Sequence, residues 1–118
     1  MKRLRIGIVS VVALAAFAGS ASAQDAKAEK GAKLFAATGC AMCHSVDGKG
    51  NPKGALDSVG AKLKPEEIRE WLSDPAAAAT KAKAERKPPM TAISAKLKAL
   101  SKDDVDALVA YLSSLKKK

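Results

Sequence analysis

Histidine and cysteine are scarce in this sequence: one of the first and two of the second in 118 residues. A structural zinc site takes four Cys or His ligands, so no such site can be built from three. Aromatics are few as well, with two Phe, one Trp and one Tyr. No apolar run reaches the roughly 20 residues that a membrane-spanning helix needs. No stretch alternates apolar and polar residues in the manner of a half-buried strand. Acidic residues are outnumbered, 12 against 21 basic, giving a net charge of +9.

What is present begins with a leader pattern. Lys2, Arg3 and Arg5 precede an apolar run from Ile6 to Ala18, and Ala21-Ser22-Ala23 follows. A basic start, a short apolar segment and an A-x-A ending mark a secretory signal peptide. Residues 1–23 are therefore expected to be cleaved, leaving 24–118 as one domain in the periplasm. The competing reading, a retained membrane anchor, is disfavoured by the shortness of the run and by Gly7 and Ser10 within it. Loss of the three leader cations lowers the net charge by three. The exported part keeps Phe35, Trp71 and Tyr111 as its aromatics, and much of its apolar content is alanine. So small a domain, poor in large apolar side chains, needs a staple or a large apolar guest.

Both cysteines and the histidine fall within five residues, Cys40-Ala41-Met42-Cys43-His44. A Cys40–Cys43 disulfide would close a tiny loop and constrain little of the unfolded chain. A thiol oxidoreductase would carry its C-x-x-C in a βαβ context, and no strand pattern accompanies this one. C-x-x-C-H is instead the spacing of c-type haem attachment. Two thiols three residues apart on one turn can add to the two haem vinyl groups. The next residue then lies beneath the iron, where an imidazole binds axially. Haem c, held through Cys40 and Cys43, is also the apolar guest that the sparse core needs.

With one histidine in the chain, a second histidine ligand is impossible. Of the three methionines, Met1 leaves with the leader, and Met42 is trapped between the two cysteines on the histidine's face. Met90 remains, approached through Pro88-Pro89, whose φ angles are fixed. His44 and Met90 are the expected iron ligands. The bland alternative makes Met90 an ordinary apolar contact, with the sixth position open or held by lysine. A closed His/Met site favours electron transfer over oxygen or peroxide chemistry, and no catalytic residue is assigned.

Along the rest of the chain, Asp25 to Thr38 reads as a helix with Asp25 as N-cap. Gly31 inside it costs about 1 kcal/mol and suggests close approach by another element. Residues 45–61, with Gly48, Gly50, Pro52, Gly54 and Gly60, read as a loop with turns and no strand. Pro65 to Ser73 reads as a short helix with Glu66 and Glu67 at its positive end, stopped by Asp74-Pro75. Trp71 is expected in the core beside the haem. Residues 76–87 are either helical or a solvated loop. Ser101 to Leu115 is a helix opened by a Ser101/Asp104 capping box, with Val105, Leu108, Val109, Leu112 and Leu115 as its buried stripe.

The exported chain resembles a class I monohaem cytochrome c over residues 25 to 116. The likeness rests on C-x-x-C-H after the first helix, the late Pro-Pro-Met, and the closing helix with Leu108-Val109-Ala110-Tyr111-Leu112. It implies an all-α fold of three or more helices around one haem, with the first and last helices crossing. On that fold Gly31 and Phe35 are expected to meet Leu108 and Tyr111. Members usually carry Gly-Pro-x-Leu, with a proline carbonyl accepting from the haem histidine. This chain has Leu56 but Gly54 in the proline's place, so a backbone carbonyl between Lys53 and Ala55 is expected to take that role.

Residues 81–102 hold seven basic residues against Glu85 alone, while the rest of the exported chain balances. That excess flanks Met90. It either steers the protein to an acidic face of a redox partner or only solvates the surface. Nucleic acid is not an expected partner, and a monomer is expected. The leading function is a diffusible electron carrier. The alternatives are a haem subunit of an oxidoreductase complex and, less favoured, a haem sensor or catalyst with a labile sixth ligand.

Overall fold

A computed structural model describes residues 18–117. Its helices are α1 (Ala18–Ala37), α2 (Val59–Lys62), α3 (Pro65–Ser73), α4 (Pro75–Ala82), α5 (Ser94–Lys98) and α6 (Lys102–Ser114). Two short strands, β1 (Ser45–Val46) and β2 (Lys49–Gly50), pair antiparallel. Three turns of 3-10 helix, at Cys40–Met42, Pro52–Gly54 and Met90–Ile93, connect these elements. The fold is all-α in class, with the hairpin as a minor feature.

The framework is the crossing of α1 and α6. A Cβ on Gly31 would run into the Ala107 carbonyl and the Cβ of Tyr111, so glycine is what lets the two backbones approach. The Phe35 and Tyr111 rings meet edge to face, with centroids 5.9 Å apart and planes at 69°. Leu108 is fully buried in the cluster that also holds Phe35, Ile68, Leu72, Leu97 and Leu112. Two ion pairs flank the framework: Lys30 Nζ lies 3.1 Å from Asp104, and Arg69 lies 2.7 Å from Asp106, tying α1 and α3 to α6.

The structure corrects the sequence reading in several places. The leader expectation falls largely on residues 1–17, outside the described residues. The helix expected from Asp25 already runs from Ala18, the first described residue, and Asp25 lies within it, because the alanine-rich stretch before it favours helix and holds no proline. The expected loop at 45–61 contains the hairpin: Asp47 and Gly48 both take positive φ, 51° and 77°, the turn that an Asp-Gly pair favours. It also contains most of α2. Residues 75–82 are helical. Asp74 closes α3: its N–H makes the last helical bond, to the Glu70 carbonyl at 2.7 Å, and its extended φ of −144° ahead of Pro75 ends the helix. Its carboxylate then accepts from Ala77 N at 3.1 Å and opens α4. At α6 the Ser101 hydroxyl accepts from Asp104 N at 3.1 Å, as expected, while the Asp104 carboxylate reaches across to Lys30.

Candidate functional site

Helix α1 ends where Gly39 takes φ 84°, a left-handed position that glycine fills without a Cβ penalty. The chain reverses there into the turn of Cys40–Met42. Cys43 N donates to the Cys40 carbonyl at 3.1 Å and His44 N to the same oxygen at 2.9 Å. This turn brings both thiols and the imidazole toward the interior. Cys40 is 7% exposed and belongs to the core. Burial pushes its thiol above the ordinary value, with the neighbouring Cys43 adding in the same direction.

The hairpin holds the turn from outside. Asn51 N donates to the carbonyls of Ala41 and His44, each at 3.1 Å, and its side-chain Nδ2 donates to the Met42 carbonyl at 3.2 Å. Three carbonyls of the motif thus converge on one asparagine. The sequence reading missed Asn51; the Asp-Gly pair before it was the available signal.

His44 is fixed through its ring. Nδ1 lies 3.0 Å from the Gly54 carbonyl, which accepts, so the proton sits on Nδ1 and Nε2 carries the free lone pair. The carbonyl falls within the expected span of 53 to 55. A Cβ on Gly54 would run into the Cys43 carbonyl and the Arg86 guanidinium, so this approach admits glycine alone. Burial lowers the His44 pKa below its ordinary value; the Gly54 hydrogen bond opposes this, and the Arg86 cation adds to the lowering. A neutral imidazole is the form that binds a metal.

These groups open onto one cavity of about 430 Å³, within the size range of roughly 300–1,000 Å³ typical of cofactor sites. Cys40, Cys43, His44 and Met90 all line it, with Trp71, Leu72 and Leu108 among its apolar walls. Met90 arrives from the opposite side of the sequence, at the start of its 3-10 turn and behind Pro89 at φ −71°. Met42 is 75% exposed and does not line the cavity.

Arg86 is the second residue that the sequence reading did not single out beyond its charge. It lines the cavity, and its Nη2 donates to the Cys43 carbonyl at 2.5 Å. Lys81, counted with the same basic segment, is engaged elsewhere, 2.6 Å from Glu70. Lys87 and Lys96 form no ion pair among the described residues.

The cavity and its donors fit haem c. Two thiols sit three residues apart, one imidazole keeps a free nitrogen, one thioether faces the same space, and the walls are mostly apolar. Comparison with curated proteins returns no match, and comparison with solved structures returns none. A family model, described as Cytochrome c, matches residues 28–116. That span takes in the attachment turn, the cavity and both crossing helices, and the chain belongs to the cytochrome c family, whose members bind covalent haem c and transfer electrons through it.

Proposed function

We propose that the chain is a diffusible periplasmic one-electron carrier, with haem c attached through Cys40 and Cys43 and ligated by His44 and Met90. The observation that carries this reading is convergence: four side chains spread from 40 to 90 line one cavity. Haem bound there supplies an iron that exchanges one electron between its ferrous and ferric states. His44 presents the free lone pair of Nε2 because its ring proton sits on Nδ1, which donates to the Gly54 carbonyl. Met90 supplies a soft sulfur from a loop stiffened by Pro88-Pro89, and a His/Met pair raises the reduction potential relative to two histidines. The apolar walls exclude water, so the oxidation state changes with little rearrangement around it.

Residues 1–23 act as the export leader and 24–118 as the working domain, and cytochrome c domains are usually exported. Among the described residues no helix is long and apolar enough to cross a membrane. A free carrier is favoured over a permanently docked subunit because Met42 is the large apolar side chain left exposed among the described residues. The working form is a monomer, and its partner presents an acidic face to the segment 81–102.

Two measurements test the assignment together. Acid–acetone treatment followed by mass measurement should leave haem on the polypeptide. Absorption spectra of the oxidised and reduced protein should show a low-spin c-type haem, with a weak sulfur-to-iron charge-transfer band near the red end in the oxidised form. Free extraction of the haem would remove the thioether assignment, and a missing band would remove Met90.

A further inference from the structure

Arg86 stands four residues before Met90, on the same segment of chain, and both line the cavity. Its guanidinium reaches across 43 positions to the Cys43 carbonyl, the peptide oxygen immediately before His44. The same group fills the space in which a side chain on Gly54 would sit, and the Gly54 carbonyl holds the His44 ring. One planar cation thus touches both pieces of backbone that place the histidine, while its own backbone leads directly into Pro88-Pro89-Met90.

We propose that Arg86 is a positioning residue that fastens the Met90 segment to the backbone supporting His44, keeping the two sides of the cavity closed on each other. The inference rests on the ligand assignment proposed above. Its physical basis is the chemistry of the guanidinium. Arginine stays charged at any working pH and offers a rigid fork of donors, so one carbonyl and one glycine surface can be held by a single group. Residues 83–89 are exposed and form no helix, so few packing contacts duplicate this tie. Without it, the segment carrying Met90 spends a larger fraction of time away from the cavity.

That fraction is measurable with free imidazole as a competing ligand for the oxidised protein, because apparent affinity scales with the population of the open form. Binding is followed by loss of the charge-transfer band. Arg86→Ala is expected to bind imidazole at least about fivefold more tightly than the parent, the lower end of usual coupling between linked sites. Arg86→Lys keeps the charge and loses the fork, and Arg86→Gln keeps a donor and loses the charge; both should fall between the parent and the alanine variant. The urea midpoint of each variant is measured alongside. Imidazole affinity equal to the parent in all three variants overturns the proposal. So does a rise that merely follows the loss of global stability. Should Arg86→Ala fail to mature, the lysine and glutamine variants decide by the same criteria. If the parent protein itself lacks the band, the Met90 assignment fails; if the parent has it and the variants are unaltered, the role of Arg86 alone fails.

Discussion

In the proposed site the Gly54 carbonyl, the His44 ring and the Met90 sulfur would each act through a single atom, and Met90 has its own signature. Met90→Ala should keep covalent haem but lose the charge-transfer band and bind carbon monoxide readily when reduced. A band undiminished in that variant would assign the sixth position to another group. At this scale the sequence was most informative where chemistry is rare. With one histidine and two cysteines, His44, Cys40 and Cys43 could be singled out by elimination, and Met90 followed. Gly54 was narrowed to a span of three residues but not chosen, since which carbonyl faces the ring depends on the path of the backbone. Asn51 and Arg86 were illegible for the same reason. Asparagine and arginine are common surface residues, and their roles exist only once segments 7 to 43 positions apart have met.

Among the elements, the α1–α6 crossing has the least tolerance. Gly31→Val should cost about 1–3 kcal/mol, the usual range for overpacking, read as a lower denaturation midpoint with the haem spectrum retained. The charges beside the crossing add a pH dependence. The hydrogen bond from Lys30 lowers the Asp104 pKa, and the one from Arg69 lowers that of Asp106. A carboxylate with a lowered folded pKa stabilises fully above its unfolded value, 3.8 for both. That contribution is lost as pH falls from there through the folded value. Thermal midpoints measured from pH 5 downward should therefore fall less steeply in Asp104→Asn/Asp106→Asn than in the parent. Helices with a clear apolar stripe or cap, α3 and α6, could be read from sequence within a residue. The reach of α1 ahead of Asp25 could not, because alanine continues a helix as readily as it begins one. The hairpin was missed because two-residue strands have no room for a period of two, leaving Asp47-Gly48 as the cue. Helix α4 was left undecided because its eight residues carry no apolar periodicity; the Asp74 cap, Pro75 at the first turn and buried Ala78 settle it.

For the molecule as a whole, the core is built around a hollow. Cys40→Ala/Cys43→Ala, unable to attach haem, should lose cooperative thermal unfolding, since ligation and core formation coincide. A sharp melt at the parent's midpoint would show that the protein packs without its guest. The surface carries the other prediction. The net charge of segment 81–102 should make the second-order rate with an acidic redox protein fall as ionic strength rises, since screening acts within about 10 Å at 0.1 M salt. Lys87→Glu/Lys96→Glu should slow that reaction and flatten its salt dependence. Lys27→Glu/Lys33→Glu, on α1 and clear of the Lys30–Asp104 pair, should do much less. Equal behaviour of the two double variants would place docking elsewhere. The buried Cys40 thiol, finally, fixes an order of events in the life of the chain. A sulfur closed into the core is out of reach of an attachment apparatus, so the thioether bonds must form while the polypeptide is still open. The attachment turn leaves the ribosome first, and Met90 follows 46 residues behind His44. The tail that steadies α2 and the loop before it, through Gly60 N to Leu115 O at 2.8 Å and Lys117 N to Asp57 O at 2.9 Å, comes last. Attachment thus belongs before closure of the core, and a chain that folded ahead of its cofactor would have shut the door on it.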